Sequence, residues 1–278
     1  MSSVEEKNGI YHPPSDLSDG AHIGGLDDYQ KLYERSIYDP EHFWAEIADG
    51  FHWYKKWDTV RSFNFDVTKG PISIKWFEGA TTNITHNCLD RHLESRGGQN
   101  AILWEGNEPG EDRSFTYREL HTLVCKCANV LKSRGVQKGD RVSIYMPMIP
   151  ELAIAMLACA RIGAIHSIVF GGFSSEALAD RIVDSTCRVL ITANGTFRGD
   201  KPVPLKSSAD VAMDRADSRM DGAKVETCLV VKRVADGKGL ECEMTDGRDL
   251  WWHDVVDAAS DECPPEQMDA EDPLFILY

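Results

Sequence analysis

The chain has no Gly-x-Gly-x-x-Gly, no Gly-x-x-x-x-Gly-Lys-Ser/Thr and no Gly-x-Ser-x-Gly. Their absence removes the fingerprints of a Rossmann dinucleotide site, a Walker phosphate cradle and an α/β-hydrolase nucleophile elbow. Positive charge is also in short supply: 30 Lys and Arg face 45 Asp and Glu, a net charge of −15. That balance argues against nucleic acid or an anionic membrane as the main partner, while leaving room for a local basic pocket for a small anion. The eight cysteines include no Cys-x-x-Cys, and several lie inside apolar runs, so buried reduced thiols are expected rather than a zinc site or disulfides. The nine histidines lie on different elements without a metal spacing. No stretch reaches the ~18 apolar residues of a membrane span. The first residues, Met1-Ser-Ser-Val-Glu-Glu-Lys-Asn8, resemble neither a secretory leader nor a mitochondrial one, and a cytoplasmic protein is expected, in the cytosol or nucleus.

What is present divides into three parts. Residues 1–27 are rich in Gly, Ser, Pro and Asp without periodicity, which suggests a flexible arm. Residues 28–84 crowd in large rings, among them Tyr29, Tyr33, Phe43, Trp44, Trp53, Trp57, Trp76 and Phe77. A segment this short has little core of its own, so an extension that wraps on a larger domain is expected; a stacking platform for carbohydrate or nucleic acid is the sharper alternative. Within it, Asp39 and Pro40 open a short helix to Ala48.

Residues 85–278 read as a regular α/β domain. Asn87–Glu94 forms a short amphipathic helix, and Asn100–Gly106 a strand. Thr116-Tyr-Arg-Glu119 is a capping box ahead of a helix that stops at Gly135. Strands at Arg141–Met146, Ala164–Phe170, Cys187–Ala193 and Val225–Val231 alternate with helices at Pro150–Ile162, Ser174–Val183 and Pro204–Arg219. Near-continuous apolar strands alternating with helices imply a mostly parallel sheet with helices on both faces and right-handed crossovers. Beyond it come a turn at 235–240, a helix from Asp249 to Ala259 capped by that aspartate, and an apolar strand ending at Tyr278 behind the acids Asp269, Glu271 and Asp272. Those acids read as a solvated loop, or less simply as a metal loop.

The chemically suggestive stretch runs from Ile165-His-Ser-Ile-Val-Phe170 through Gly171-Gly172 to Arg198-Gly-Asp-Lys201. Two glycines directly after an apolar strand let the backbone turn tightly or lie against a ligand. Arg198 and Lys201 follow the next strand, at the edge where open α/β sheets collect ligands. One reading is an anionic, nucleotide-like ligand resting on the glycines and held by two cations. The other is two ordinary connections with solvated charges.

Several motifs, in order, resemble one family: Trp53-Tyr-Lys-Lys-Trp-Asp58, Lys75-Trp-Phe-Glu-Gly-Ala80, Asn87-Cys-Leu-Asp-Arg-His92, Ile144-Tyr-Met-Pro-Met148, Phe170-Gly-Gly-Phe-Ser174, Arg198-Gly-Asp-Lys201, Asp249-Leu-Trp-Trp-His-Asp254 and Met268-Asp-Ala-Glu-Asp-Pro273. The chain is similar to the acetyl-CoA synthetases, AMP-forming acetate:CoA ligases of the adenylate-forming superfamily. The likeness covers nearly everything after residue 20.

The resemblance implies a two-step ligase using acetate, CoA, ATP and Mg2+. Acetate attacks the α-phosphate of ATP to give acetyl-adenylate, and the CoA thiol then displaces AMP. By the same resemblance Phe170, Gly171 and Gly172 lie beside the CoA adenine, and Arg198, Gly199, Asp200 and Lys201 meet adenine and phosphates. Asp200 and Lys201 stand where many bacterial relatives have a small residue and an arginine, and Asp200 would repel phosphate unless it points outward. Residues 1–27 would be the flexible arm, 28–84 the N-terminal extension of the family and 85–278 its AMP-binding domain, truncated before the phosphate loop. The family's Ser/Thr/Gly-rich phosphate loop, its acetate pocket and its catalytic lysine have no counterpart in these residues. The chain alone is therefore expected to be inactive in adenylation, as a truncated form of the ligase or as a short, non-catalytic CoA-binding or partner-binding product. An α/β nucleotide-binding domain of unrelated chemistry would require the resemblance to be accidental.

Overall fold

A computed structural model of the chain describes residues 5–219, 224–235 and 240–278. It divides into two compact units, Met1–Phe51 with Trp57–Glu78, and His52–Lys56 with Gly79–Tyr278.

The first unit has more regular structure than its composition suggests. Glu5–Lys7 and Ile10–His12 pair as an antiparallel hairpin. Its two-residue turn is Asn8-Gly9, with φ of 58° and 76°, the left-handed pair a tight hairpin requires. This Asn-Gly turn lies within the stretch read as a flexible arm, 1–27, of which residues 1–4 lie outside the described ones. Helices follow at Ser15–Asp19, Leu26–Tyr38 and Pro40–Asp49, then an antiparallel pair, Thr59–Asn64 with Ser73–Glu78. Asp39 precedes the helix at Pro40 as expected, but its carboxylate meets His42 Nδ1 at 2.8 Å instead of a backbone N–H. The rings partly pack on one another: Phe43 on Trp44 (5.1 Å between centroids), Trp44 on Trp76 (6.0 Å) and Trp57 on Phe77 (5.1 Å). Ring pairing of this kind, edge-to-face in the first two, gives a short segment a small aromatic core.

The second unit is built on a sheet of six parallel strands. In chain order the strands of that sheet and the helices about it are α1 (Tyr117–Ser133), β1 (Arg141–Met146), α2 (Pro150–Arg161), β2 (Ile165–Phe170), α3 (Ser175–Ser185), β3 (Val189–Ala193), α4 (Leu205–Asp217), β4 (Thr227–Val231), β5 (Asp249–Trp251), α5 (Trp252–Asp257) and β6 (Phe275–Ile276). The spatial order is β5-β4-β3-β1-β2-β6. All neighbours are parallel, with Val142 opposite His166 and Ile144 opposite Ile191. Helix α1 packs with α2 and α5, while α3 packs with α4, giving a helical layer on each face. The strands are mostly apolar because both sides are covered: every residue of β3 and β4 is buried, Thr192 and Thr227 included. Helix α1 opens on the expected capping box, in which Glu119 N–H donates to Thr116 Oγ1 (3.2 Å) and Thr116 N–H donates to Glu119 (2.8 Å).

Three expectations are corrected. The helix over 87–94 is broken: Ile84–Cys88 is α-helical, Leu89 leaves the helical region (φ −123°, ψ −66°), and two further single turns follow. Burial of Leu89 in the core fixes that kink. Asp249 does not cap a helix; it starts β5, and its buried carboxylate lies 2.8 Å from Lys206 Nζ and 2.6 Å from Arg248 Nε. A buried carboxylate needs such cations to stay charged, and this tertiary demand overrides the local Asp signal. The basic loop after β3 is a hairpin, Thr196–Arg198 with Lys201–Val203. The acids before β6 fold a turn within the expected loop, with Asp269 and Glu271 exposed; Asp272 accepts from Asp269 N–H and Asp269 from Glu271 N–H, each at 2.9 Å. Of the turn over 235–240, residues 236–239 lie outside the described ones. All eight cysteines are free thiols, and Cys125, Cys127, Cys159, Cys187, Cys228 and Cys263 are buried.

A cleft at the reversal of strand order

The chain leaves β1 towards β2 on one side and leaves β3 towards β4 on the other. Connections that depart in opposite directions open a crevice at the carboxyl ends of the two strands. Three segments meet there: Pro147–Ile149 after β1, Gly171–Phe173 after β2, and the hairpin after β3.

The turn after β2 is tightly constrained. Phe173 N–H donates to the Phe170 carbonyl (3.0 Å), and Tyr145 Oη donates to the Phe173 carbonyl (2.8 Å). Gly171 is buried, and a Cβ there would lie 3.0 Å from the Met146 carbonyl oxygen and 3.2 Å from Pro147 N. Both neighbours are backbone at the end of β1 and cannot swing aside. Gly172 is different: its Cβ would lie 2.7 Å from Arg198 Nη2 and 2.9 Å from the Phe170 ring. The second glycine is therefore the floor under the Arg198 guanidinium, and the two stretches singled out in the sequence meet.

In the hairpin after β3, Arg198 pairs across the strands with Lys201, and Gly199-Asp200 form the two-residue turn. Gly199 has φ +57°, the left-handed value that glycine adopts without strain at the first turn position. Asp200 and Lys201 are exposed. A cleft of about 190 Å³ is lined by Trp104, Met148, Phe170, Phe197, Arg198 and Arg233 among others. A wider one of about 570 Å³ adjoins Gly199, Asp200, Glu111 and Arg233. Lys201 lines neither, so the structure brings Phe170, Gly171, Gly172 and Arg198 together and sets Lys201 on the neighbouring strand.

The cations of this region differ in what they face. Arg113 makes a bidentate pair with Glu151 (2.8 and 2.9 Å), and Arg233 pairs with Glu111. These two guanidinium groups flank the Trp104 ring at 5.1 and 5.3 Å from its centroid. Among the described residues Arg198 and Lys201 have no carboxylate partner. An unpaired guanidinium over a glycine floor, beside exposed Phe170, offers charge-assisted donors to an anion and a ring face to a planar base. Trp104, Arg233 and Asn194 were not marked out by the sequence. Asn194 is buried and holds the Arg233 and Val234 N–H groups at 2.9 and 3.0 Å. Only the polar residue directly after β3 hinted at it.

The family description "AMP-binding enzyme" matches residues 89–278. The chain belongs to this family. Ahead of that match, residues 29–88 fit the description "Acetyl-coenzyme A synthetase N-terminus". The acetyl-coenzyme A synthetase of Magnetococcus marinus is 58% identical over 251 residues, 90% of this chain and 37% of the relative. That of Halorhodospira halophila is 52% identical over 270 residues, 97% of this chain and 40% of the relative. The Drosophila melanogaster protein of the same name is 50% identical over 280 residues, covering 97% and 42%. The chain thus spans about two fifths of the length of these relatives. Among solved structures, the acetoacetyl-CoA synthetase of Streptomyces lividans superposes with a TM-score of 0.78 at 24% identity, over 95% of this chain and 38% of that one. The last likeness bears on the fold alone, and agrees with the parallel sheet described above.

Proposed function

We propose that this chain carries the CoA-nucleotide part of an acetate:CoA ligase that works through acetyl-adenylate. In the reaction, acetate oxygen attacks the α-phosphorus of ATP and pyrophosphate leaves; the CoA thiol then attacks the acyl carbon and AMP leaves. Mg2+ accompanies the ATP phosphates. The chain's own contribution is to hold the nucleotide end of CoA, with Phe170 beside the adenine, Gly171 and Gly172 allowing close approach, and Arg198 meeting phosphate. Lys201 adds a second positive charge from the adjoining strand, while Asp200 is exposed in the turn, at the wider cleft. No residue of this chain is assigned to ATP, Mg2+ or acetate. The partners are small molecules in the cytoplasm, and no helix among the described residues is long and apolar enough to cross a membrane.

The observation that carries this reading is the contact geometry of Gly172 and Arg198. A Cβ on the glycine would fall within 2.7 Å of the guanidinium, so the turn and the cation are built to share one small space. Calorimetric titration of the chain with CoA and, separately, with pantetheine tests it. Heat from CoA and none from pantetheine is expected, because the proposed contacts are all with the nucleotide. Equal heats from both, or none from CoA, would contradict the reading.

A further inference from the structure

The hairpin bearing Arg198 is short and exposed, yet its position is specified from two sides by groups that themselves touch no ligand in the reading above. On one side stands the turn of a second hairpin, Asn100–Glu105 with Asp112–Thr116. Within that turn Gly106 N–H donates to the Glu111 carbonyl (2.6 Å) and Asn107 N–H donates to the Glu111 carboxylate (2.9 Å). Thus fixed, Asn107 donates through Nδ2 to the carbonyl of Phe197 (3.2 Å), the residue immediately before Arg198. Glu111 also accepts from Arg233, whose N–H is held by Asn194 Oδ1. Asn194 Nδ2 in turn donates to the Val234 carbonyl (2.7 Å). Asn194 is two residues ahead of the hairpin. A continuous path of hydrogen bonds therefore runs from Phe197 through Asn107, Glu111, Arg233 and Asn194 back to the base of the same hairpin.

We infer that Glu111 is a positioning residue: through Asn107 and Arg233 it presets the Arg198 hairpin over Gly172, so that the guanidinium is in place before an anion arrives. The benefit of such presetting lies in order already present in the free protein. Glu111 suits the role because one carboxylate serves two donors from different segments, and because its Arg233 hydrogen bond outweighs burial in holding its carboxyl below the ordinary value. Gly106 fits the same arrangement, since a Cβ there would collide with the Glu111 carboxylate. The affinity consequence rests on the CoA reading of the Arg198 site; the mechanical consequence does not.

The test has two arms on the 278-residue chain. Amide hydrogen exchange without ligand compares wild type, Glu111→Ala and Glu111→Gln, with Asn107→Ala as the exposed, fold-sparing alternative should Glu111→Ala fail to fold. Exchange over 196–203 is expected to quicken roughly tenfold in the Ala variants while β1 and β3 keep theirs, with Glu111→Gln in between, as for opening of a local unit. Calorimetry with CoA then follows wild type, Glu111→Ala, Arg198→Ala and the double variant. Glu111→Ala should weaken binding roughly three- to tenfold, the scale of ordering one long side chain, and should add nothing once Arg198 is gone. Unchanged exchange over 196–203 in both Glu111→Ala and Asn107→Ala overturns the inference, as does equal weakening with and without Arg198. No CoA heat from the wild type would instead defeat the function reading, leaving the exchange arm to decide this one.

Discussion

Replacing Gly171 and Gly172 by alanine, one at a time, separates two kinds of constraint that look identical in the sequence. At Gly171 the new methyl would stand 3.0 Å from the Met146 carbonyl oxygen, 3.1 Å from Met146 C and 3.2 Å from Pro147 N. These atoms belong to the end of β1, which is paired on both sides, so relief requires the strand end or the turn to move. Overpacking of this kind costs about 1–3 kcal/mol. At Gly172 the methyl would meet the tip of Arg198 at 2.7 Å and the Phe170 ring at 2.9 Å, both able to rotate into solvent. Folding stability should then change by no more than about 0.5 kcal/mol, as for most surface substitutions. The site should suffer more: one charge-assisted hydrogen bond is worth about 1.5–3 kcal/mol, or roughly ten- to a hundredfold in CoA affinity. Urea unfolding midpoints and CoA calorimetry on both variants give the comparison. Gly171→Ala should shift the midpoint and Gly172→Ala the affinity. A Gly172→Ala protein that binds CoA like wild type, or one that loses stability as Gly171→Ala does, refutes the assignment of Gly172 as the floor beneath Arg198.

Three other outcomes are expected. Stability should peak near neutral pH. Hydrogen bonds to Asp90 and Cys125, opposed by burial, raise His121 from 6.5 to about 9, so its contribution is complete below 6.5 and is lost as pH climbs through 9; burial lowers His166 from 6.5 to about 4, so stability also falls as pH drops from 6.5 through 4. Urea midpoints across pH 4–10 on wild type and His121→Leu check this, and an alkaline limb of unchanged steepness in the variant would remove His121 from the account. Lys206→Ala should cost about 3–5 kcal/mol, the range for breaking a buried ion pair, since Lys206 Nζ lies 2.7 Å from Asp210 and 2.8 Å from the fully buried Asp249; a midpoint within error of wild type would show that Arg248 alone suffices. ATP–pyrophosphate exchange by the isolated chain should show no acetate dependence, and exchange above background with acetate would mean that its residues do more than hold CoA.

The parallel sheet was readable because burial on both faces leaves β1 to β4 mostly apolar, without the alternation of a one-sided strand, even though Ser143, His166, Ser167, Thr192 and Thr227 interrupt the runs. The capping box at Thr116 and Glu119 was readable because it is local. Asp249 was not: an aspartate ahead of Trp-Trp-His looks like a helix cap, and only Lys206, 43 residues earlier, together with the adjacent Arg248, makes it the start of a strand with a buried carboxylate. The Asn8-Gly9 hairpin was hidden by its polar, proline-rich surroundings, although the dipeptide itself is a turn signal. In the cleft, Gly171, Gly172 and Arg198 were visible because each sits just past an apolar strand. Trp104, Glu111 and Arg233 were not, because only tertiary contacts, Trp104 Nε1 donating to the Met148 carbonyl and Arg233 to Glu111, bring the separate hairpin at 100–116 and the end of β4 to the same crevice.

The central claim is that Arg198, poised over Gly172, grips the nucleotide of CoA. Calorimetric titration of wild type and Arg198→Ala with CoA at low salt tests it most directly. Wild type should bind measurably, and Arg198→Ala roughly ten- to a hundredfold more weakly, as expected on losing one charge-assisted phosphate contact, with urea midpoints unchanged. Identical heats from the two proteins would take Arg198 out of the site and contradict the account.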